Sequence, residues 1–473
     1  MSSTPPDLLP AWLNHADPAD VCALMLLDTT EFKSRYADFP ASWQVQIDLM
    51  GFGGRAGQIL VLPASNERAT SALVGISQTE IWFGLGRALA AKLPPGSYAV
   101  PTSLTIDQSR LLYVGFGVGS YGFDRFRSAR QDHGQPSLCT SGIEGLQDIT
   151  AMVEASNLVR NLVNMPASHM GPAELEAEVR AVAEKYGAHV GCILGEDLLE
   201  QGYPAVHAVG RAATPHRAPR MIEMTWGSPD HPGLCLIGKG VTFDTGGLDL
   251  KPSAGMRWMK KDMGGAAHAL GLAQLVMQAN LPVRLYLLIP AVENAVSGDA
   301  MRPGDVLDSR SGMTIEVGNT DAEGRLILAD ALTRAGELDP VLTIDLATLT
   351  GAARVAVGPD LVPFFSTSEA IAQQLRISSP REEDPMWELP LWPGYQSALK
   401  SDIADLKNDP SAWAQAGCIT AALFLKEFAP KSDWVHLDVF AWNNNSRPGW
   451  PTGAEAQGLR ALFEMIRKTF LPV

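Results

Sequence analysis

Cysteine is scarce and badly spaced for a cross-linked framework. The 473-residue chain has five: Cys22, Cys139, Cys192, Cys235 and Cys418. They are far apart, odd in number and form no C-x-x-C pair, so no disulfide scaffold is indicated. All but Cys139 sit among apolar residues, as buried reduced thiols do. Long apolar runs are also missing, and none approaches the roughly 20 residues that cross a bilayer as a helix. The first Lys or Arg is Lys33, so the basic start of a secretory signal is absent. Ser2–Pro10 is too short and Pro-rich for an apolar signal core. A cytoplasmic protein without membrane contact is expected. Basic charge is in deficit, with 37 Lys and Arg against 52 Asp and Glu and a net charge of −15. Bulk charge therefore disfavours nucleic acid and anionic membranes, while leaving a local basic patch open. No fixed-period repeat or low-complexity tract is present.

What remains is an ordinary globular composition, 46% apolar and 19% charged. At roughly 100–200 residues per domain, two domains are the simplest expectation. In the first third, Gln58–Leu62, Ala72–Ile76 and Leu111–Phe116 read as strands. Glu80–Leu93 has helical spacing and ends before Pro94-Pro95-Gly96. The pattern dissolves between Gln131 and Ser141, and a helix then runs to Asn164, ended by Pro166. The predicted division is an N-terminal α/β domain over 1–140, a connecting helix over 141–166 and a larger α/β domain over 167–473. In the last, Leu234–Ile237, Val283–Ile289 (ended by Pro290), Thr314–Val317, Leu342–Leu346 and Trp434–Val439 read as strands. Met263–Ala279, Leu326–Arg334 and Cys418–Phe428 read as helices. The fold class is α/β, with a mostly parallel central sheet in the larger domain. Ligands in such folds bind beyond the carboxyl ends of strands.

Two polar segments follow strands there. One runs from Gly238-Lys239-Gly240 through Asp244 and Lys251 to Asp262-Met263-Gly264-Gly265. The other is Asn319-Thr320-Asp321-Ala322-Glu323-Gly324-Arg325-Leu326. Asp244, Asp262, Asp321 and Glu323 lie in glycine-rich or turn-like stretches. Gathered in a dry site, four carboxylates need protons or cations. An oxygen-rich set suits manganese, magnesium or carboxylate-bound zinc. Taken alone, Asp321 reads equally well as the cap of the helix beginning near Gly324, with Glu323 favoured by the helix dipole.

Together these segments resemble the leucyl (cytosol) aminopeptidase family. The likeness extends to Asn164-Met165-Pro166, Asp345–Gly351, Leu389-Pro390-Leu391-Trp392 and Ser401–Asp405, and so spans about residues 155–440. It implies a dinuclear metallo-aminopeptidase that removes N-terminal residues from peptides, with hydrophobic residues such as leucine preferred. One metal would be held by Asp244, Asp321 and Glu323, and the other by Lys239, Asp244, Asp262 and Glu323. Two divalent ions per subunit, Mn2+ or Zn2+, are implied. Lys251 and Arg325 would be catalytic, with bicarbonate at Arg325 as general base. Met259 and Leu349 fall at substrate-pocket positions, where ordinary core packing is an equal reading. A homohexamer is implied.

Other motifs weigh less. Gly233–Lys239 fits the start of a phosphate loop, but Gly240 stands where a hydroxyl is needed. Gly117–Gly122 fits G-x-G-x-x-G without the helix that should follow it. His268 and His436 lack metal-ligand spacing. Thr245 replaces the family's usual serine and keeps the hydroxyl. Gly453-Ala454-Glu455-Ala456 departs from a Gly-Ala-Thr-Gly pattern, which leaves side-chain preference and a subunit contact open there. The competing function is a non-catalytic DNA-binding or regulatory protein on the same scaffold. It has no need of Lys251 or Arg325.

Overall fold

In a computed structural model, residues 9–18, 21–64, 70–128, 134–410, 413 and 415–471 are described. Residues 2–8 and 131–133, read above from sequence, lie outside that set. The chain divides into two compact units. One is 1–154 with 445–451, and the other is 155–444 with 452–473. The division falls inside the helix Leu146–Asn164.

The first unit carries a six-stranded sheet: β1 (Leu13–Asn14), β2 (Cys22–Leu27), β3 (Ile59–Leu62), β4 (Ser71–Gly75), β5 (Gly96–Ala99) and β6 (Pro136–Cys139). Their order is β1-β6-β5-β2-β4-β3, parallel throughout except between β3 and β4. Leu111–Phe116, expected as a strand, is instead the middle of a helix, Ile106–Gly119. A short apolar run buried on every side has no period to reveal its type. The deciding signals are local. Thr105 and Gln108 form a capping box at its start. Its glycines also permit close packing on the helix Trp82–Lys92. A Cβ at Gly115 would lie 2.1 Å from Phe83 O, and one at Gly86 would lie 2.1 Å from Leu112 O. Gly117 and Gly119 therefore belong to a helix and not to a nucleotide loop.

The second unit is built on a nine-stranded sheet: β7 (His189–Leu194), β8 (Arg220–Trp226), β9 (Gly233–Gly238), β10 (Gly240–Asp244) and β11 (Arg284–Asn294) lead it. A small separate sheet holds β12 (Val306–Asp308), β13 (Thr314–Glu316) and, later in the chain, β17 (Leu406–Lys407). The main sheet is completed by β14 (Leu342–Ala347), β15 (Val362–Ser366), β16 (Met386–Glu388) and β18 (Asp433–Asp438). The order is β16-β15-β18-β14-β9-β11-β8-β7, with β10 alongside β11. Five of these pairings are parallel and three antiparallel. Gly233–Gly238 is thus a buried strand, not a phosphate loop.

Strand β11 does not stop at Pro290. Its last partner in β9 pairs Leu288 with Ile237, and its first partner in β10 pairs Ala291 with Gly240. Pro290 falls at this changeover, where a sheet tolerates a missing donor. The helix Gly264–Gln278 lies directly on the strands. A Cβ at Gly265 would meet Leu346 O at 2.1 Å, and one at Gly238 would meet Ala266 Cα at 2.4 Å. This close approach explains Gly265, while its neighbour Gly264 makes room for Ala441, whose Cβ would lie 2.5 Å from a Cβ there. Among the described residues, no helix is long and apolar enough to cross a membrane.

Candidate metal centre

Six charged side chains meet where β9, β10 and β14 end. Lys239 follows β9. Its backbone N–H donates to Leu346 O, and its carbonyl accepts from Ala266 N. The backbone is thereby pinned between strand and helix, and the side chain runs into the site. Gly324 makes room for it, because a Cβ there would lie 2.5 Å from Lys239 Cε. The ammonium sits 2.8 Å from Asp262 Oδ2 and 3.0 Å from Glu323 Oε1, and donates to Thr348 O at 3.0 Å. Asp244 closes β10. Its Oδ1 accepts from Gly246 N and from Asn294 Nδ2, both at 2.8 Å. Asp262 belongs to a 3-10 turn, Met259–Met263, and accepts from Thr348 Oγ1 at 2.8 Å.

Glu323, rather than Asp321, is the N-cap residue of the helix Gly324–Glu337, and its carboxylate makes no capping bond. It turns inward and is 1% exposed. Ligand oxygens of Asp244, Asp262 and Glu323 all lie within 4.8 Å of one another. Asp321 approaches from the loop before that helix. Lys251 joins it to the cluster, with Nζ 2.5 Å from Asp321 Oδ1 and 2.7 Å from Asp244 Oδ2.

The electrostatics are those of crowded carboxylates. Burial, reinforced by Asp244, pushes Glu323 up to about 8. Burial and Asp244 likewise push Asp321 up to about 6. Burial alone would lower the Lys239 ammonium, but Asp262, Glu323 and Asp244 hold it well above its ordinary value. Glu323 Oε2 has no hydrogen-bond partner among the described residues. Buried acceptors without donors, hard oxygens packed together and one amine beside them form a donor set suited to divalent cations.

Arg325 is the second residue of the helix Gly324–Glu337 and is 7% exposed. Its Nη1 donates to Asn408 O at 2.6 Å, while its buried Nε has no hydrogen-bond partner among the described residues. Burial pulls its pKa down. Met259 and Leu349 line a cavity of about 290 Å3 that also exposes Lys239, Asp244, Asp262 and Asp321. None of Gly453–Ala456 lines it. That segment instead pairs with Trp442–Asn443, and Ala454 N donates to Asn164 Oδ1.

His268 and His436 are core residues. His268 Nδ1 bonds Gly264 O, and its Nε2 accepts from Gln457 N. His436 Nδ1 lies 2.6 Å from Asp345 Oδ1.

Several positioning residues carry no sequence signal of their own. Asn408 Oδ1 accepts from Gly318 N and Asn319 N, and its Nδ2 donates to Asn319 O and Ala322 O. One amide thus holds the loop that carries Asp321. Asn294 anchors Asp244, and Asp438 Oδ1 accepts from Leu349 N and Thr350 N. Each is a single polar residue far from the motif it serves. Only the end of a strand or an asparagine in a turn hints at it.

Comparisons with known proteins agree with one another. The family model described as the cytosol aminopeptidase family, catalytic domain, matches residues 157–463. The M17 aminopeptidase N-terminal domain matches residues 23–138. A probable cytosol aminopeptidase of Syntrophotalea carbinolica is 40% identical over 385 residues, covering 78% of this chain and 77% of its own. The crystal structure of cytosol aminopeptidase from Coxiella burnetii superposes with a TM-score of 0.91 at 41% identity, covering 98% of this chain and 100% of that one. The bottromycin maturation enzyme BotP in complex with Mn gives a TM-score of 0.85 at 31% identity, over 96% of this chain and 100% of that one.

Proposed function

The chain belongs to the cytosol aminopeptidase family, a family of metal-dependent peptide hydrolases, and from that premise we propose that it removes single N-terminal residues from peptides with a pair of divalent ions. The observation that carries the reading is the buried Asp244–Asp262–Glu323 cluster with Lys239 set among its oxygens. Manganese or zinc would be held by Lys239, Asp244, Asp262, Asp321 and Glu323, with Asp244 and Glu323 shared between the two ions. When bound, such ions polarise a carbonyl and make water nucleophilic near neutral pH. The Mn complex of BotP supports the choice of metal.

The chain's own residues supply the rest. Lys239 has to donate a neutral nitrogen, and adjacent cations favour loss of its proton. Lys251 offers an ammonium at the cluster's edge, placed to donate to the oxygen that gains charge as the peptide carbonyl is attacked. Arg325 presents a planar, partly unsatisfied guanidinium, a shape suited to holding bicarbonate, which would supply a general base when bound. Met259, Leu349 and Phe440 give the cavity an apolar wall, which suits leucine and other hydrophobic side chains. A homohexamer in the cytoplasm is the expected working form.

Purified protein supplied with manganese should release nitroaniline from Leu-p-nitroanilide, and a chelator should stop the release. Absence of turnover on every one of several amino-acid amides, with metal supplied, rejects the proposal. The DNA-binding alternative is weaker. The net charge of −15 opposes the sequence-independent attraction that draws Lys and Arg to phosphates.

A further inference from the structure

The cavity beside the cluster is not purely apolar. Two cations that play no part in the mechanism above face it, Lys261 and Arg354. Both lie over one aromatic ring. Lys261 Nζ is 5.4 Å and Arg354 Cζ 5.5 Å from the centroid of Phe440, which itself lines the cavity.

Lys261 is the unusual one. Its side chain is 9% exposed, and a buried ammonium is costly unless paired. Its nearest carboxylate oxygen, Asp262 Oδ1, is 4.0 Å away, beyond hydrogen-bond reach, and already accepts from Thr348. Asp438 also faces the cavity, but its Oδ1 is taken by Leu349 N and Thr350 N and its Oδ2 by Thr350 Oγ1. The ammonium makes no hydrogen bond among the described residues. Arg354 is exposed, at the cavity rim.

A buried, unbonded cation over a ring, with a second cation on that ring, is an arrangement waiting for an anion. We propose that this pocket accepts an N-terminal residue whose side chain ends in a carboxylate, glutamate or aspartate. Lys261 binds the carboxylate and Arg354 strengthens the pull from the rim. The aliphatic stem of such a residue packs on the same apolar wall that receives leucine, so the two substrate classes share one pocket. The inference rests on the aminopeptidase reading and names part of its substrate class.

The test uses full-length, manganese-loaded protein and three p-nitroanilides, of leucine, glutamate and glutamine. Wild type should cleave the glutamate substrate with kcat/KM several-fold above that for glutamine, which has nearly the same shape and no charge. Lys261→Met keeps the bulk and removes the charge. It should lower the glutamate-to-leucine ratio of kcat/KM by about tenfold or more, the scale of a lost charge-assisted hydrogen bond, with metal per chain unchanged. Arg354→Met, at an exposed site, should lower the same ratio a few-fold. Leucine turnover with equal or poorer turnover of glutamate than of glutamine overturns the inference and leaves the aminopeptidase reading intact. A glutamate-to-leucine ratio that stays the same in both variants does so too. If Lys261→Met fails to fold or loses metal, the glutamate–glutamine comparison and Arg354→Met decide. If wild type cleaves none of the three, it is the aminopeptidase reading that fails.

Discussion

Glu323 and Lys251 sit within one cluster but are assigned different tasks, and single substitutions separate them. Glu323→Ala removes the proposed shared ligand, so activity should vanish and bound metal should fall. Unchanged metal stoichiometry would contradict that role. Lys251→Ala should lower kcat by about a hundredfold or more, the usual cost of a donor aimed at developing charge, while leaving metal in place. Loss of metal in that variant would mean that Lys251 is a structural counter-ion.

Glu323 also predicts a pH dependence. Burial and Asp244 lift its folded-state pKa to about 8, above the ordinary value of 4.5. The folded chain therefore holds that proton more tightly than the unfolded chain does. The resulting stability is fully present below the unfolded value and is lost as pH rises through about 8. Chelated wild type should lose more Tm between about pH 5 and pH 9 than chelated Glu323→Gln, which cannot titrate. Equal losses in thermal melts would contradict the shift. At this scale the sequence was informative where chemistry is contiguous. Lys239, Asp244, Asp262, Asp321, Glu323 and Arg325 fall in two motifs. The residues that aim them do not. Asn294, Thr348, Asn408 and Asp438 act across distances of 50 to 89 positions, and only Thr348, within Asp345–Gly351, falls in a segment that the sequence singled out.

Elements position the site through close backbone contacts. The helix Gly264–Gln278 can lie on β9 and β14 only because Gly238 and Gly265 have no Cβ. Gly265→Ala should destabilise the protein by about 1–3 kcal/mol through overpacking. Its first atom would meet the backbone oxygen of Leu346, which cannot rotate away. Denaturant unfolding measures this, and an unchanged midpoint would refute the contact. The same physics explains which elements were legible. Helices with a polar face and strands bounded by turns announced themselves, among them Leu146–Asn164 and Leu342–Ala347. Leu111–Phe116 did not, because full burial erases periodicity and leaves capping residues as the remaining clue. Strand β11 outran its proline because its neighbour changes from β9 to β10 there.

For the whole molecule, the likeness to cytosol aminopeptidases extends beyond the catalytic unit to residues 23–138. The proposed hexamer should sediment at about six times the 50.7 kDa of one chain. A monomer would overturn it. The catalytic unit leaves Trp387, Trp392 and Val355 at 56% exposure or more, large apolar side chains of the kind that subunit contacts cover.

The proposed activity depends on the carboxylate cluster and Lys239 holding paired cations. Crystals grown with manganese, measured at the manganese absorption edge, test this most directly. Two anomalous peaks per chain are predicted, one against Asp244, Asp321 and Glu323 and the other against Lys239, Asp244, Asp262 and Glu323. Peaks elsewhere, or none at this cluster at saturating manganese, would contradict the account.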